Sequence, residues 1–105
     1  MPLAKTDTFN NSDKQLADIA KALSHPARIN ILRILNEQNY CITGEIVDLI
    51  PLSQSTVSQH LKELKRVNLI KGEIEGPRTN YCLNEAVVEK TKSAFTKLFS
   101  TFKCC

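Results

Sequence analysis

Residues 53–66 read Ser-Gln-Ser-Thr-Val-Ser-Gln-His-Leu-Lys-Glu-Leu-Lys-Arg. Gln54, Ser55, Thr56, Ser58, Gln59 and His60 put amide, hydroxyl and imidazole groups within two turns of a helix, and Lys62, Lys65 and Arg66 follow. A glutamine pairs two-pronged with adenine, and Ser or Thr bonds several bases or a phosphate. Cations near the other end suit phosphates. Small and amide side chains also let a helix axis approach base edges in the major groove of duplex DNA. Ser53 is placed to cap this helix. The plain alternative is a solvated face. Such faces usually carry Glu and Lys, because Ser and Thr are poor helix formers. Ser53, Ser55, Thr56 and Ser58 cost helix propensity and, the cap aside, add nothing to a core, so function is the better explanation.

The remaining chemistry-bearing residues are sparse. His25 and His60 lie far apart with no Cys or second His at ligand spacing, so no zinc signature is present. His25, beside Pro26, is expected to cap or pack. Of the four cysteines, Cys41 and Cys82 lie in apolar stretches and Cys104 and Cys105 are adjacent. There is no CxxC pair and no dense framework, so reduced thiols in a cytoplasmic compartment are expected. Cys41 and Cys82 are then read as small buried residues rather than ligands. No paired acid and base, no nucleophile beside a histidine and no phosphate-binding glycine loop occurs, with only three Gly in all. An enzyme is not expected.

The elements that must position residues 53–66 come from composition and periodicity. A chain of 105 residues makes one domain. It is 42% hydrophobic and 24% charged with no Trp, which implies an aliphatic core of Leu, Ile and Val. No apolar run approaches the roughly 20 residues that cross a bilayer, and Met1–Ser12 carries no secretory h-region. The formal charge of +3 is unevenly placed. Residues 1–53 hold five Lys/Arg against six acids, and residues 54–105 hold nine against five. A polyanion would meet the second half, unless this is simply a solvated surface.

Residues 1–12 read as a flexible arm, 13–102 as the folded domain and 103–105 as a cysteine tail. A first helix, capped by Ser12 or Asp13, runs to about Ser24 with Leu16, Ile19, Ala20 and Leu23 on one face. Pro26 sits in the first turn of a second helix continuing over Ala27–Asn36. Tyr40–Ile42 is β-prone, and Thr43 caps a third helix, Gly44–Ile50. After Pro51–Ser53 comes the fourth helix, Gln54–Val67, ended by Asn68, with a thin apolar set of Val57, Leu61 and Leu64. Leu69–Glu75 and Arg78–Leu83 form a hairpin around Gly76-Pro77, with Arg78 at its tip. Asn84 caps a last helix reaching about Phe102. The fold class is mainly α with a small β-hairpin: a winged helix-turn-helix. Arg78 and Lys71 are placed to reach the backbone or an adjacent minor groove.

Two motifs in the right order carry a family resemblance. Leu23-Ser24-His25-Pro26-Ala27-Arg28 followed by Ile31-Leu32-x-Ile34-Leu35 resembles the start of the ArsR/SmtB family of small bacterial winged-helix repressors. Leu52–Leu64, continuing into Leu69-Ile70-x-Gly72 and Tyr81-Cys82-Leu83, resembles its DNA-reading part. The likeness covers about residues 15–102. It implies a homodimer that binds an operator, represses transcription, and lets go when a ligand or thiol modification arrives.

The last helix points to a dimer independently. Phe95, Leu98, Phe99 and Phe102 make a stripe that a small monomer has little core left to receive, and Leu16, Ile19 and Leu23 offer a matching stripe on the first helix. Pairing across a two-fold axis gives two reading helices for an inverted repeat in double-stranded DNA, with half-sites ~34–36 Å apart or a multiple of that. The alternative is that the last helix folds back on its own domain.

Of the metal sites the resemblance brings, a Cys-x-Cys at the start of the third helix is broken here, since Cys41 is followed by Ile42 and Thr43. An Asp/His set on the last helix is absent from residues 84–102. The tail remains: Lys103 beside Cys104 and Cys105 favours the thiolate. As(III) or Sb(III), which prefers two or three sulfurs, is the inducer the resemblance favours, with a third thiol from Cys82, Cys41 or the partner. No other cofactor is expected. Oxidation or persulfidation of the tail, a ligand-independent regulator, and a winged-helix module contacting protein or RNA stay as alternatives.

Overall fold

The computed structural model describes residues 8–38, 41–44, 46–73 and 79–103. Helix α1 spans Asn11–Ala22 and α2 Pro26–Glu37; strand β1 spans Cys41–Gly44, followed by a 3-10 helix over Ile46–Leu49. Helix α3 spans Gln54–Arg66, strands β2 and β3 Ile70–Glu73 and Thr79–Leu83, and helix α4 Glu85–Ser100. No helix is long and apolar enough to cross a membrane among these residues.

Each helix starts where a side chain can accept an orphan backbone N–H. Asn10 caps α1 through Oδ1, accepting from Asp13 N at 2.8 Å. Helix α1 therefore begins at Asn11, inside the segment expected to be a loose arm. His25 Nδ1 accepts from Ala27 N at 3.0 Å, and Pro26 holds the first turn of α2. Asn84 caps α4.

The element expected as a third α-helix is different. Strand pairing holds the chain extended to Gly44, and Pro51 disfavours helical geometry at Ile50. The few residues between make only the 3-10 turn, so the helix-turn-helix has a short first arm.

The sheet is antiparallel in the order β1-β3-β2. Gly72, opposite Tyr81, has φ +148°, and a Cβ there would collide with the Asn80 carbonyl oxygen. Glycine is thus required where β2 crosses β3. The hairpin tip, residues 74–78 with Arg78, lies outside the described residues.

Ile31 and Leu35 of α2, Ile50, Val57, Leu61 and Leu64 of α3, and Leu69, Ile70, Tyr81 and Leu83 of the hairpin form one buried cluster. Ile19, Leu23, Val87 and Val88 lean on it from α1 and α4. The aliphatic core expected from composition is present, with Tyr81 its large ring.

Candidate nucleic-acid interface

Helix α3 is held from three sides. At its start, the Ser53 hydroxyl accepts from Thr56 N at 3.3 Å and lies 2.9 Å from Thr56 Oγ1 and 3.3 Å from Ser55 Oγ. At its end, Asn68 takes φ 64°, its N–H donates to the Lys65 carbonyl and the Leu69 N–H donates to the Leu64 carbonyl. This pair of bonds is the left-handed helix stop that a residue such as Asn tolerates. Between the ends, Val57, His60, Leu61 and Leu64 face the core.

The opposite side stays open. Gln54, Ser55, Gln59, Lys62 and Lys65 are exposed, Ser58 and Thr56 half-exposed, and Ser53 exposed just before them. The structure thus brings Ser53, Gln54, Ser55, Thr56, Ser58, Gln59, Lys62 and Lys65 together on the exposed part of one helix and its cap.

His60 does not share that side. It is 7% exposed, and its Nδ1 accepts from Arg28 Nε at 3.1 Å. The outward placement expected for it is corrected: residues 57, 60, 61 and 64 follow the i, i+3, i+4, i+7 pattern of one buried stripe. Its ring lies 4.3 Å from that of His25. Arg28 also donates to the Ala22 carbonyl at 3.2 Å and the Lys21 carbonyl at 3.4 Å. One guanidinium therefore ties the end of α1, the start of α2 and the middle of α3. Burial first, then the nearby His25 and Arg28, holds the His60 imidazole below its ordinary pKa. The neutral ring needed to accept from Arg28 is the favoured one.

Arg66 is also engaged. It clamps Asp18 of α1 through two bonds of 2.8 and 2.9 Å and reaches Glu63 at 2.7 Å. Hydrogen bonds from Arg66 hold both carboxyls below their usual range. Two carboxylates occupy this cation, leaving Lys62 and Lys65 as the cations on the outward face of α3.

The cysteines depart furthest from expectation. Cys41 and Cys82 lie directly opposite each other in the β1–β3 register and are joined by a disulfide. Neither is buried: Cys41 is exposed and Cys82 half-exposed. Strand alternation gives the reason, since Tyr81 and Leu83 point into the core and Cys82 between them points away. The expectation of two separate buried thiols is thereby corrected. The alternation of Cys82 with Tyr81 and Leu83 is the signal that could have shown its outward face, but nothing local identifies its partner 41 residues away. Cys104 and Cys105 lie outside the described residues, and no group of three or more potential metal ligands occurs among those described.

On the expected dimer stripe, Phe99 is 60% exposed, Phe102 54% and Leu98 39%, with Phe95 half-buried. Phe99 stacks 6.4 Å from Phe95 and meets Phe102 edge-on at 5.5 Å. On α1, Leu16, Ile19 and Leu23 are half-buried, and Ile19 and Leu23 already lean on the core.

Comparison with known proteins agrees with this arrangement. Residues 25–71 match the profile described as bacterial regulatory protein, arsR family. The HTH-type transcriptional regulator YgaV of Escherichia coli is 38% identical over 77 residues, 72% of this chain and 78% of that one. The HTH-type transcriptional repressor SmtB of Mycobacterium tuberculosis is 39% identical over 66 residues, 63% of this chain and 48% of that one. Among solved structures, an ArsR-like transcriptional regulator from Rhodococcus superposes with a TM-score of 0.67 at 22% identity, covering 87% of this chain and 85% of that one.

Proposed function

The chain belongs to the arsR family of bacterial regulatory proteins, which are DNA-binding transcriptional regulators and not enzymes, and from that premise we propose that it is a homodimeric repressor reading an inverted repeat with α3. The observation that carries this is the open side of that helix. Gln54, Ser55, Ser58 and Gln59 offer hydrogen bonds to base edges. Lys62 and Lys65 take phosphates, and Ser53 and Thr56 sit at the helix N-terminus, where backbone N–H groups favour a phosphate. Arg78 and Lys71 are assigned to the backbone beside the reading helix. His60 positions α3 through Arg28 and makes no base contact.

The dimer rests on the Phe95, Leu98, Phe99 and Phe102 stripe, completed by Leu16, Ile19 and Leu23. The Cα radius of gyration of 15.6 Å exceeds the ~13 Å of a compact chain of this size, in keeping with a last helix that needs a partner to cover it. Two protomers carry a formal charge of +6, twice the +3 of one, which suits duplex DNA. The protein acts where DNA is, in the cytoplasm.

The inducer we assign is a thiophilic metalloid, As(III) or Sb(III), taken by Cys104 and Cys105. While Cys41 and Cys82 are bonded to each other neither can supply a third sulfur, which then comes from the partner's tail. Titrating arsenite against operator binding tests this: the Cys104→Ser, Cys105→Ser protein is expected to stay bound where wild type releases. An equal response removes the tail from the mechanism.

Selection from a random duplex pool tests the repressor itself. An enriched inverted repeat with half-sites ~34–36 Å apart is expected. Enrichment of no sequence, or equal retention of single-stranded RNA, overturns it in favour of another winged-helix module.

A further inference from the structure

Beyond the tail, the described structure holds a second sulfur pair in a place that matters for α3. Strand β1 is the edge of the sheet, four residues long and paired only with β3. It leads directly into the 3-10 helix and then α3. Strand β3 is the return arm of the wing. The Cys41–Cys82 bond therefore fastens the approach to the reading helix onto the wing, closing a ring that contains the 3-10 helix, α3 and β2. The pair is on the outer face of the sheet, with Cys41 exposed.

A regulator that works on bacterial DNA sits among reducing thiols, where a surface disulfide is characteristically exchanged rather than permanent. We propose that Cys41 and Cys82 are a reversible thiol–disulfide modification site whose reactant is a low-molecular-weight disulfide. The proposal rests on the DNA-binding function above and adds an input to it.

The exchange balances. The Cys41 thiolate, the more exposed, attacks one sulfur of RSSR; that S–S bond breaks and RS⁻ leaves, giving a mixed disulfide on Cys41. The Cys82 thiolate, directly opposite, attacks Sγ of Cys41 and expels the second RS⁻. The two protons lost by the cysteines end on two RSH. The protein pair is oxidised by two electrons and RSSR is reduced by two. An excess of small thiol runs the steps backward. With the bond made, β1 and β3 cannot separate, and α3 is presented on a stiffer base. With the bond open, β1 has no covalent tie and is held by its edge-strand hydrogen bonds to β3 and its place beside α2. The oxidised form is therefore the tighter DNA binder, because less motion is lost on binding.

The test uses the full-length protein and a duplex selected in parallel by its reduced and oxidised forms. Protein is equilibrated with oxidised glutathione or with dithiothreitol, cross-linked peptides are mapped by mass spectrometry, and duplex affinity is measured in each state. Expected is a Cys41–Cys82 peptide that appears with oxidised glutathione and disappears with dithiothreitol. Affinity should be about five-fold or more higher in the oxidised state, at the lower end of ordinary coupling between sites. Cys82→Ser should lose both effects, and Cys41→Ser, at the exposed partner, serves equally if the first variant folds poorly. Absence of the linked peptide overturns the proposal. So does a linked form that binds no more tightly than the reduced one, or a response surviving in the serine variants. Failure of the protein to select any duplex in either state, reduced or oxidised, would instead sink the repressor function, while the peptide map still decides the sulfur chemistry.

Discussion

At the scale of single residues, α3 divides into exposed side chains, proposed to face DNA, and buried side chains that hold the helix. Lys62 and Lys65 belong to the first group. Each to Ala is expected to weaken duplex binding nearly equally for all sequences and to lower the log–log salt slope of the dimer by about 1.8, the share of two symmetry-related phosphate contacts at about 0.9 each; anisotropy titrations across salt concentrations measure it. His60 belongs to the second group. Its folded pKa lies below the ordinary 6.5, so above that pH neither state carries the proton and the full stability is present. As pH falls below 6.5 the unfolded chain takes up the proton first, and stability is lost until the folded value is passed. Asp18 and Glu63 act in a separate window, because their depressed pKa values remove stability only below their ordinary 3.8 and 4.5. Urea midpoints at about pH 7.5 and 5.5 should therefore fall for wild type and differ less for His60→Asn, which keeps an acceptor for Arg28 but does not titrate. The inward position of His60 was legible in its spacing from Val57 and Leu64; its polar character masked it. The grip of Asp18 on Arg66 was not legible, because it joins helices that only tertiary packing brings together.

Among elements, periodicity and capping located all four α-helices of the structure to within a residue or two. Ser53, Asn68 and Asn84 act at the ends expected of them. The misplaced element was the expected third helix, where the pull of β3 on β1 wins over local pattern. That pull joins strands distant in sequence and leaves no local trace. The wing has its own requirement at Gly72. Gly72→Ala meets both the positive φ and the Asn80 backbone oxygen, and a loss of about 1–3 kcal/mol is expected from the backbone conformation alone, read from denaturant midpoints. The Cys41–Cys82 bond should add about 4 kcal/mol through the 41-residue separation it closes, on the chain-entropy account. Unfolding with and without reductant checks that figure.

For the whole molecule, the exposed Phe stripe on α4 and the open side of α3 need each other. One reading helix on a chain this small is a weak binder, and in the proposed dimer two such helices, held by α1 and α4, address both halves of an inverted repeat. Phe99→Asp places a charge, and its symmetry mate, in the proposed interface. Sedimentation should show a folded monomer at micromolar concentration, with circular dichroism near wild type because Phe99 is 60% exposed within one protomer. The assignment of α3 to base reading is decided most directly by one comparison: the affinity of wild type and Gln59→Ala for the selected inverted repeat and for a scrambled duplex, at one fixed salt concentration. A loss of about 1–3 kcal/mol per half-site on the repeat, with binding to the scrambled duplex unchanged, is the expected result. Equal affinity of the two proteins for the repeat would contradict it.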